Sequence, residues 1–168
     1  NGGIGDDRLE PGYGDDSAFG GLGNDTIVDT SGGNNLLQGM AGDDHITAGN
    51  GYDTLAGQSG NDTLNAGYGA DNLYGGIGDD VLNGGDFLDQ VFGGAGDDFV
   101  WGGRDRDTVA GGAGADRFFH SGAESDLETV LDYNAAEGDR LVFGGTWTAP
   151  ADFRVRSVQS RDVLGNVT

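Results

Sequence analysis

The chain has 168 residues, a length that suits one domain, with 36 Gly, 29 Asp or Glu and 8 basic residues, for a formal net charge of −21. All the basic residues are Arg. So few cations exclude a binder of the nucleic-acid phosphate backbone and disfavour an anionic membrane surface, and a chain this acidic repels itself unless cations neutralise it. No Cys is available for disulfides, and no apolar run of about 20 residues could span a membrane.

From Gly2 the chain divides into nine-residue units. They read GGIGDDRLE, PGYGDDSAF, GGLGNDTIV, DTSGGNNLL, QGMAGDDHIT, AGNGYDTLA, GQSGNDTLN, AGYGADNLY, GGIGDDVLN, GGDFLDQVF, GGAGDDFVW, GGRDRDTVA and GGAGADRFF, ending at Phe119, with one extra residue assigned to Met40 and Ala41. The sixth column is Asp7, Asp16, Asp25, Asn34, Asp44, Asp53, Asp62, Asp71, Asp80, Asp89, Asp98, Asp107 and Asp116. The eighth column is always apolar: Leu9, Ala18, Ile27, Leu36, Ile46, Leu55, Leu64, Leu73, Leu82, Val91, Val100, Val109 and Phe118. A six-residue Gly-rich stretch turns tightly, and the triplet after it has strand periodicity with its middle residue inward. Two units then make one coil of turn, short strand, turn, short strand.

These columns resemble the RTX family, the haemolysin-type calcium-binding nonapeptide G-G-x-G-x-D-x-U-x. The resemblance covers about 70% of the chain. It implies an all-β fold, a right-handed parallel β-roll (a β-solenoid) of about 6.5 coils with a C-terminal β-rich cap. Such a roll is about 30 Å long at a strand spacing of ~4.8 Å. Its core is thin. One aliphatic side chain per unit contributes roughly 1.5–3 kcal/mol, less than the cost of ordering nine residues at about 1–2 kcal/mol each. The roll is therefore not expected to fold on burial alone.

Glycine turns expose carbonyls and column six supplies carboxylates, an oxygen-rich set that suits Ca2+. Zn2+ fits poorly without Cys, and Mg2+ demands a stricter octahedron. The expected metal ligands are Asp7, Asp16, Asp25, Asp44, Asp53, Asp62, Asp71, Asp80, Asp89, Asp98, Asp107 and Asp116. The resemblance implies that each ion sits between turns stacked one coil apart, with roughly 6–10 ions in all.

The two edges of the roll differ. Odd-numbered units keep Gly at column four, and their fifth column reads Asp6, Asn24, Asp43, Asn61, Asp79, Asp97 and Ala115. Even-numbered units carry Asn34 in column six, and Phe87 and Asp105 in place of the column-four Gly. A well-ordered row of Ca2+ is expected on the odd edge, with gaps or distortion on the even edge at those three residues. The fifth-column acids have two readings, solvation and direct coordination, of which solvation is preferred. Column nine points outward, and on even units it is apolar: Phe19, Leu37, Ala56, Tyr74, Phe92 and Ala110. That stripe suits edge packing, a neighbouring domain, a second copy or a sugar.

No H-E-x-x-H or G-x-S-x-G motif is present, so no catalytic residue is expected in this chain. His45 reads as a surface residue, and His45 and His120 stand alone. The repeat stops after Phe119, which divides the chain into a roll at 1–119 and a capping segment at 120–168. The segment resembles the ends of RTX rolls in secreted proteases, with Glu124, Ser125 and Asp126 in an acidic loop and strands at 129–133 and 140–143. Asp132 and Asp139 are candidates for a cap-side ion. Trp147 and Phe153 follow, and Arg154, Arg156 and Arg161 form a basic patch that could pair with the acidic roll.

The resemblance implies a calcium-binding module that folds outside a Gram-negative cell and supports secretion, folding and stability of a larger exported protein. Its expected partners are calcium, an N-terminal domain of the parent protein and the type I secretion machinery. Nucleic acid and a membrane span are not expected. The alternatives are a polysaccharide-binding or adhesin module and, less favoured, part of an enzyme whose catalytic domain lies elsewhere. Because Asn1 opens directly onto a repeat and the end reads VLGNVT, the chain is expected to be part of a longer protein, without its terminal secretion signal.

Overall fold

The computed structural model describes residues 1–121 and 128–144, together with the backbone of Arg154 and Val155. The acidic loop at Glu124, Ser125 and Asp126 lies outside the described residues, as do Trp147, Phe153, Arg156 and Arg161. β1 (Gly3–Ile4) and β2 (Arg8–Leu9) open the chain, followed by β3 (Ser17–Leu22), β4 (Thr26–Val28), β5 (Leu36–Ala41) and β6 (His45–Thr47). Seven six-residue strands come next: β7 (Thr54–Ser59), β8 (Thr63–Tyr68), β9 (Asn72–Ile77), β10 (Val81–Asp86), β11 (Gln90–Ala95), β12 (Phe99–Arg104) and β13 (Thr108–Ala113). β14 (Arg117–His120), β15 (Thr129–Val130), β16 (Arg140–Phe143) and β17 (Arg154–Val155) complete the described elements.

Odd-numbered strands form a nine-stranded sheet in chain order and even-numbered strands an eight-stranded one. Every pairing is parallel. The chain is thus an all-β parallel solenoid of about seven turns, a β-roll. No described helix is long and apolar enough to cross a membrane. Turns of the odd edge lead from the nine-stranded sheet to the eight-stranded one, and turns of the even edge lead back.

Strands are longer than the triplets that periodicity predicts. They run from column seven through column three of the next unit, because the column-one residue also faces inward. Gly75, Gly84 and Gly93 are buried there, as are Ala48 and Ala66. A side chain at most of these glycines would collide with the core-facing carboxylate of its own turn, as at Gly57 with Asp62 Oδ2 and at Gly111 with Asp116 Oδ2. The core is accordingly one file of aliphatic residues, including Ile27, Leu55, Leu73, Leu82, Val91 and Val109, all essentially inaccessible.

The register corrects the alignment in one coil. Ala18 pairs with Leu37, and Leu37 with Leu55, so Leu37 is the buried core residue and Leu36 lies in the outward column beside Ser17. Asn35, not Asn34, holds column six of that coil. The extra residue therefore sits in the turn before Asn35 rather than at Met40 and Ala41. Two adjacent Asn and two adjacent Leu made both registers equal in sequence; only the stacking separates them. Gln38 consequently takes the outward place assigned to Leu37 and breaks the apolar stripe between Phe19 and Ala56.

The even-edge turns at Phe87 and Asp105 keep the glycine conformation, with φ of 87° and 82°. A left-handed backbone costs an L-residue roughly 1–2 kcal/mol. The stacked turns above and below impose it, so the strain is absorbed locally and the coil is not distorted.

Candidate metal centre

Each turn ends on its column-six residue at the head of the next strand. This places the side chain beneath the preceding coil. On the odd edge, Asp7 N–H donates to Asp25 Oδ1 at 2.7 Å, Asp25 N–H to Asp44 Oδ1 at 2.7 Å, and Asp44 N–H to Asp62 Oδ1 at 2.7 Å. Asp62, Asp80, Asp98 and Asp116 continue the row at 2.7–3.1 Å, and it ends on Asp139 Oδ1. On the even edge, Asp16 N–H donates to Asn35 Oδ1, Asn35 to Asp53, Asp53 to Asp71, Asp71 to Asp89 and Asp89 to Asp107, at 2.7–2.9 Å. The even ladder of hydrogen bonds is thus unbroken past Phe87 and Asp105. Asn35 preserves it because an amide oxygen accepts as a carboxylate does.

The ladder uses one oxygen of each carboxylate. The other, Oδ2, is buried without a hydrogen-bond partner in Asp7, Asp16, Asp25, Asp44, Asp53, Asp62, Asp71, Asp80, Asp89, Asp98 and Asp116. Leaving a charged oxygen in that state is costly. The surface arginines do not relieve it: Arg8 pairs with Glu10, and Arg104 with Asp86. Among the described residues no three His, Asp or Glu converge on one point. A cation here would therefore take one carboxylate or two and complete its shell with turn carbonyls. Strand carbonyls are close by as well: a Cβ built on Gly75 in β9 would lie 2.5 Å from Gly93 O of β11 and would collide with Asp80 Oδ2. Crowded oxygens around a glycine cradle fit a hard cation of flexible coordination.

Burial, and then the charge of nearby carboxylates, raises these carboxyl pKa values. Asp44, Asp62, Asp71, Asp80 and Asp116 move up to about 6, Asp98 to about 7 and Asp89 to about 8. In every case one backbone N–H from the previous coil opposes the rise.

The fifth column has a role that neither solvation nor coordination describes. Asn24 N–H donates to Asp6 Oδ1, Asp43 to Asn24, Asn61 to Asp43, Asp79 to Asn61, Asp97 to Asp79 and Ala115 to Asp97, all at 2.8–2.9 Å. This second ladder runs on the surface, and its side chains accept from the following coil. The even edge has only Asn34 N–H to Asp15 and Tyr52 N–H to Asn34; Tyr52, Ala70 and Leu88 then offer no side-chain acceptor. The signal was in the sequence as a column accepting Asp and Asn alike.

At the C-terminal end, Asp132 accepts from Gly111 and Gly112 N–H, and Asp139 from Asp116 and Asn134 N–H. All four oxygens already hold backbone donors, so the structure gives both residues a role in closing the roll. The strand expected at 129–133 is only Thr129–Val130, whereas Arg140–Phe143 is as expected. His45 is exposed, as anticipated. His120 does not stand alone: it is buried, with Nδ1 2.6 Å from Glu128 Oε2.

A parallel β-roll lined on both edges by buried, half-satisfied carboxylates defines a class of cation-binding solenoid. The RTX calcium-binding nonapeptide repeat matches in four copies, at residues 1–28, 27–55, 56–91 and 83–118, and the chain belongs to that family. No curated protein and no solved structure is significantly similar to the chain.

Two outcomes are expected. Asn61→Ala removes the acceptor for Asp79 N–H and should cost about 0.5–1.5 kcal/mol in denaturant unfolding of the Ca2+ form, with Asn61→Asp costing less; equal stability of the Ala variant would mean that the outer ladder is energetically idle. The raised carboxyl pKa values also set a pH dependence. Protons bind the folded roll more tightly than the coil, so this contribution is fully present below about pH 4 and is lost as pH rises through about 6–8. In buffer stripped of divalent cations, circular dichroism should show β structure increasing from pH 8 to pH 4, and a decrease would contradict the assignment.

Proposed function

We propose that this chain is a calcium-responsive folding module of a larger exported protein. The row of buried Oδ2 atoms without partners supports this most directly. It makes the folded roll electrostatically incomplete until cations enter, and ions that bind the roll and not the coil convert binding energy into folding energy. The metal ligands in this reading are the twelve column-six aspartates, with turn carbonyls completing each shell. Extracellular calcium at about 10⁻³ M lies at the top of the ~10⁻⁴–10⁻³ M range of dissociation constants of extracellular modules, so such affinities suffice. At cytosolic calcium the chain stays an extended acidic coil, a form suited to type I export, and it folds outside. Residues 1–119 form the responsive roll and 120–168 the cap. Catalysis, where the parent protein has it, belongs to another domain.

Circular dichroism of the full chain in EGTA and in millimolar Ca2+ tests this reading at neutral pH. Coil in EGTA and β structure in Ca2+ are expected, and equal β signal in both would refute the switch. A second reading, a polysaccharide-binding module, draws on Tyr74 and Phe92, whose rings stack at 5.5 Å on the outer face of the nine-stranded sheet. A glycan array probed with the Ca2+ form should show binding lost in Tyr74→Ala if this is correct.

A further inference from the structure

Column one holds Gly, Ala or, at the chain's start, Pro11 in every coil except one. The exception is Asp29, in the even-edge turn that also carries the extra residue and has Asn35 in place of the column-six acid. Column one stacks directly along this edge: Asp29 N–H donates to Thr47 O at 2.8 Å, and Ala48 N–H to Asn65 O at 2.9 Å. Ala48 and Ala66 in that column face inward and are buried. Asp29 shares their place and is itself 1% exposed. Its Oδ1 accepts Ser31 N–H at 2.9 Å, while its Oδ2 has no partner.

The neighbouring groups explain why a carboxylate occurs here. Asn35 spends its oxygen on Asp16 N–H and turns its amide nitrogen to Gly33 O at 3.3 Å. An amide NH₂ cannot ligate a cation, so this turn lacks the anionic oxygen that its neighbours present. Asp53, in the next coil, is fully buried with a partnerless Oδ2 of its own. Asp53 Oδ1 accepts Asn35 N–H at 2.7 Å and Asp29 N–H donates to Thr47 O at 2.8 Å, so both residues border the step between the same two even-edge turns. Two buried carboxylates with unsatisfied oxygens therefore lie on adjacent turns, and neither is in an ion pair among the described residues.

We propose that Asp29 and Asp53 together hold a hard divalent cation, Ca2+, between the even-edge turns at 29–35 and 48–53. This assignment rests on the calcium reading above and adds a ligand from outside the column-six pattern. The acid lost at Asn35 is restored from the other end of the same turn. The expected gap at this coil is thereby filled.

Calcium titration of the full chain by isothermal calorimetry, paired with the anomalous difference map of a crystal grown in Ca2+, tests the site. Asp29→Asn keeps an oxygen for Ser31 N–H and removes only the charged second oxygen. It should bind one Ca2+ fewer at saturation than the wild type, and the wild-type map should place an ion about 2.3–2.6 Å from Asp29 Oδ2. Unchanged stoichiometry, or a map with no ion bonded to Asp29, overturns the assignment. Should the variant fail to fold, the wild-type map decides alone. A wild-type chain that binds no Ca2+ defeats the calcium reading itself, whereas normal wild-type binding with an indifferent Asp29→Asn defeats only this site.

Discussion

Like charges stacked at the coil spacing govern this molecule. Each turn buries one carboxylate, and the parallel register places the next one about 5 Å away along the edge. At that distance and an effective dielectric near 20, neighbouring full charges repel by about 3 kcal/mol. The aliphatic file inside contributes one side chain per unit and does not offset a whole row of such pairs. Protons or divalent cations do. The solenoid is therefore a structure whose stability is set largely by what neutralises its edges, and its pH and metal dependence share one cause.

The two oxygens of each column-six carboxylate divide the work. Oδ1 accepts the backbone N–H of the coil before it, which fixes rise and register. Oδ2 is left facing the glycine cradle. The outer ladder on the odd edge adds a second set of bonds running the opposite way, so each odd turn is tied to its neighbours by both of its acidic positions. That edge is accordingly more regular, but the even edge keeps its inner ladder through Asn35, Phe87 and Asp105. Its irregularities appear as positive φ within the turn at Phe87 and Asp105, where the odd edge has it in the entering strand at Met40 and Gln58, and as an exposed apolar groove of Tyr52, Tyr68, Phe87 and Leu88.

A roll that adds coils by stacking must also stop, because its last coil exposes both a core face and open strand edges. Here β15 and β16 extend the two sheets beyond the repeat while the turns change character. Asp139 takes the column-six position for the last time, but both its oxygens are held by backbone donors. Asp132 does the same at the start of that turn, through Gly111 and Gly112 of β13. The buried His120–Glu128 contact brings the start of β15 against the end of β14. The row of half-satisfied carboxylates ends where the chain supplies donors in place of ions.

Much of this was legible in the residue order. Two columns, one of Asp and one of aliphatic residues, suffice to specify the turn, the inward side chain and the oxygen chemistry, because each depends on residues within nine positions of one another. The placement of the insertion was not legible, since Asn34–Asn35 and Leu36–Leu37 satisfy either register, and only pairing with Ala18 and Leu55 chooses Leu37. The outer ladder left only a trace, a column that takes Asp and Asn alike, because its donor and acceptor lie 18 or 19 residues apart. The sequence by itself determined the repeat, its coil and its demand for cations, all of which are local. Tertiary structure alone decided which oxygen of each carboxylate is spent, which turn absorbs the extra residue and how Asp29 comes to be buried, because these depend on contacts between successive coils.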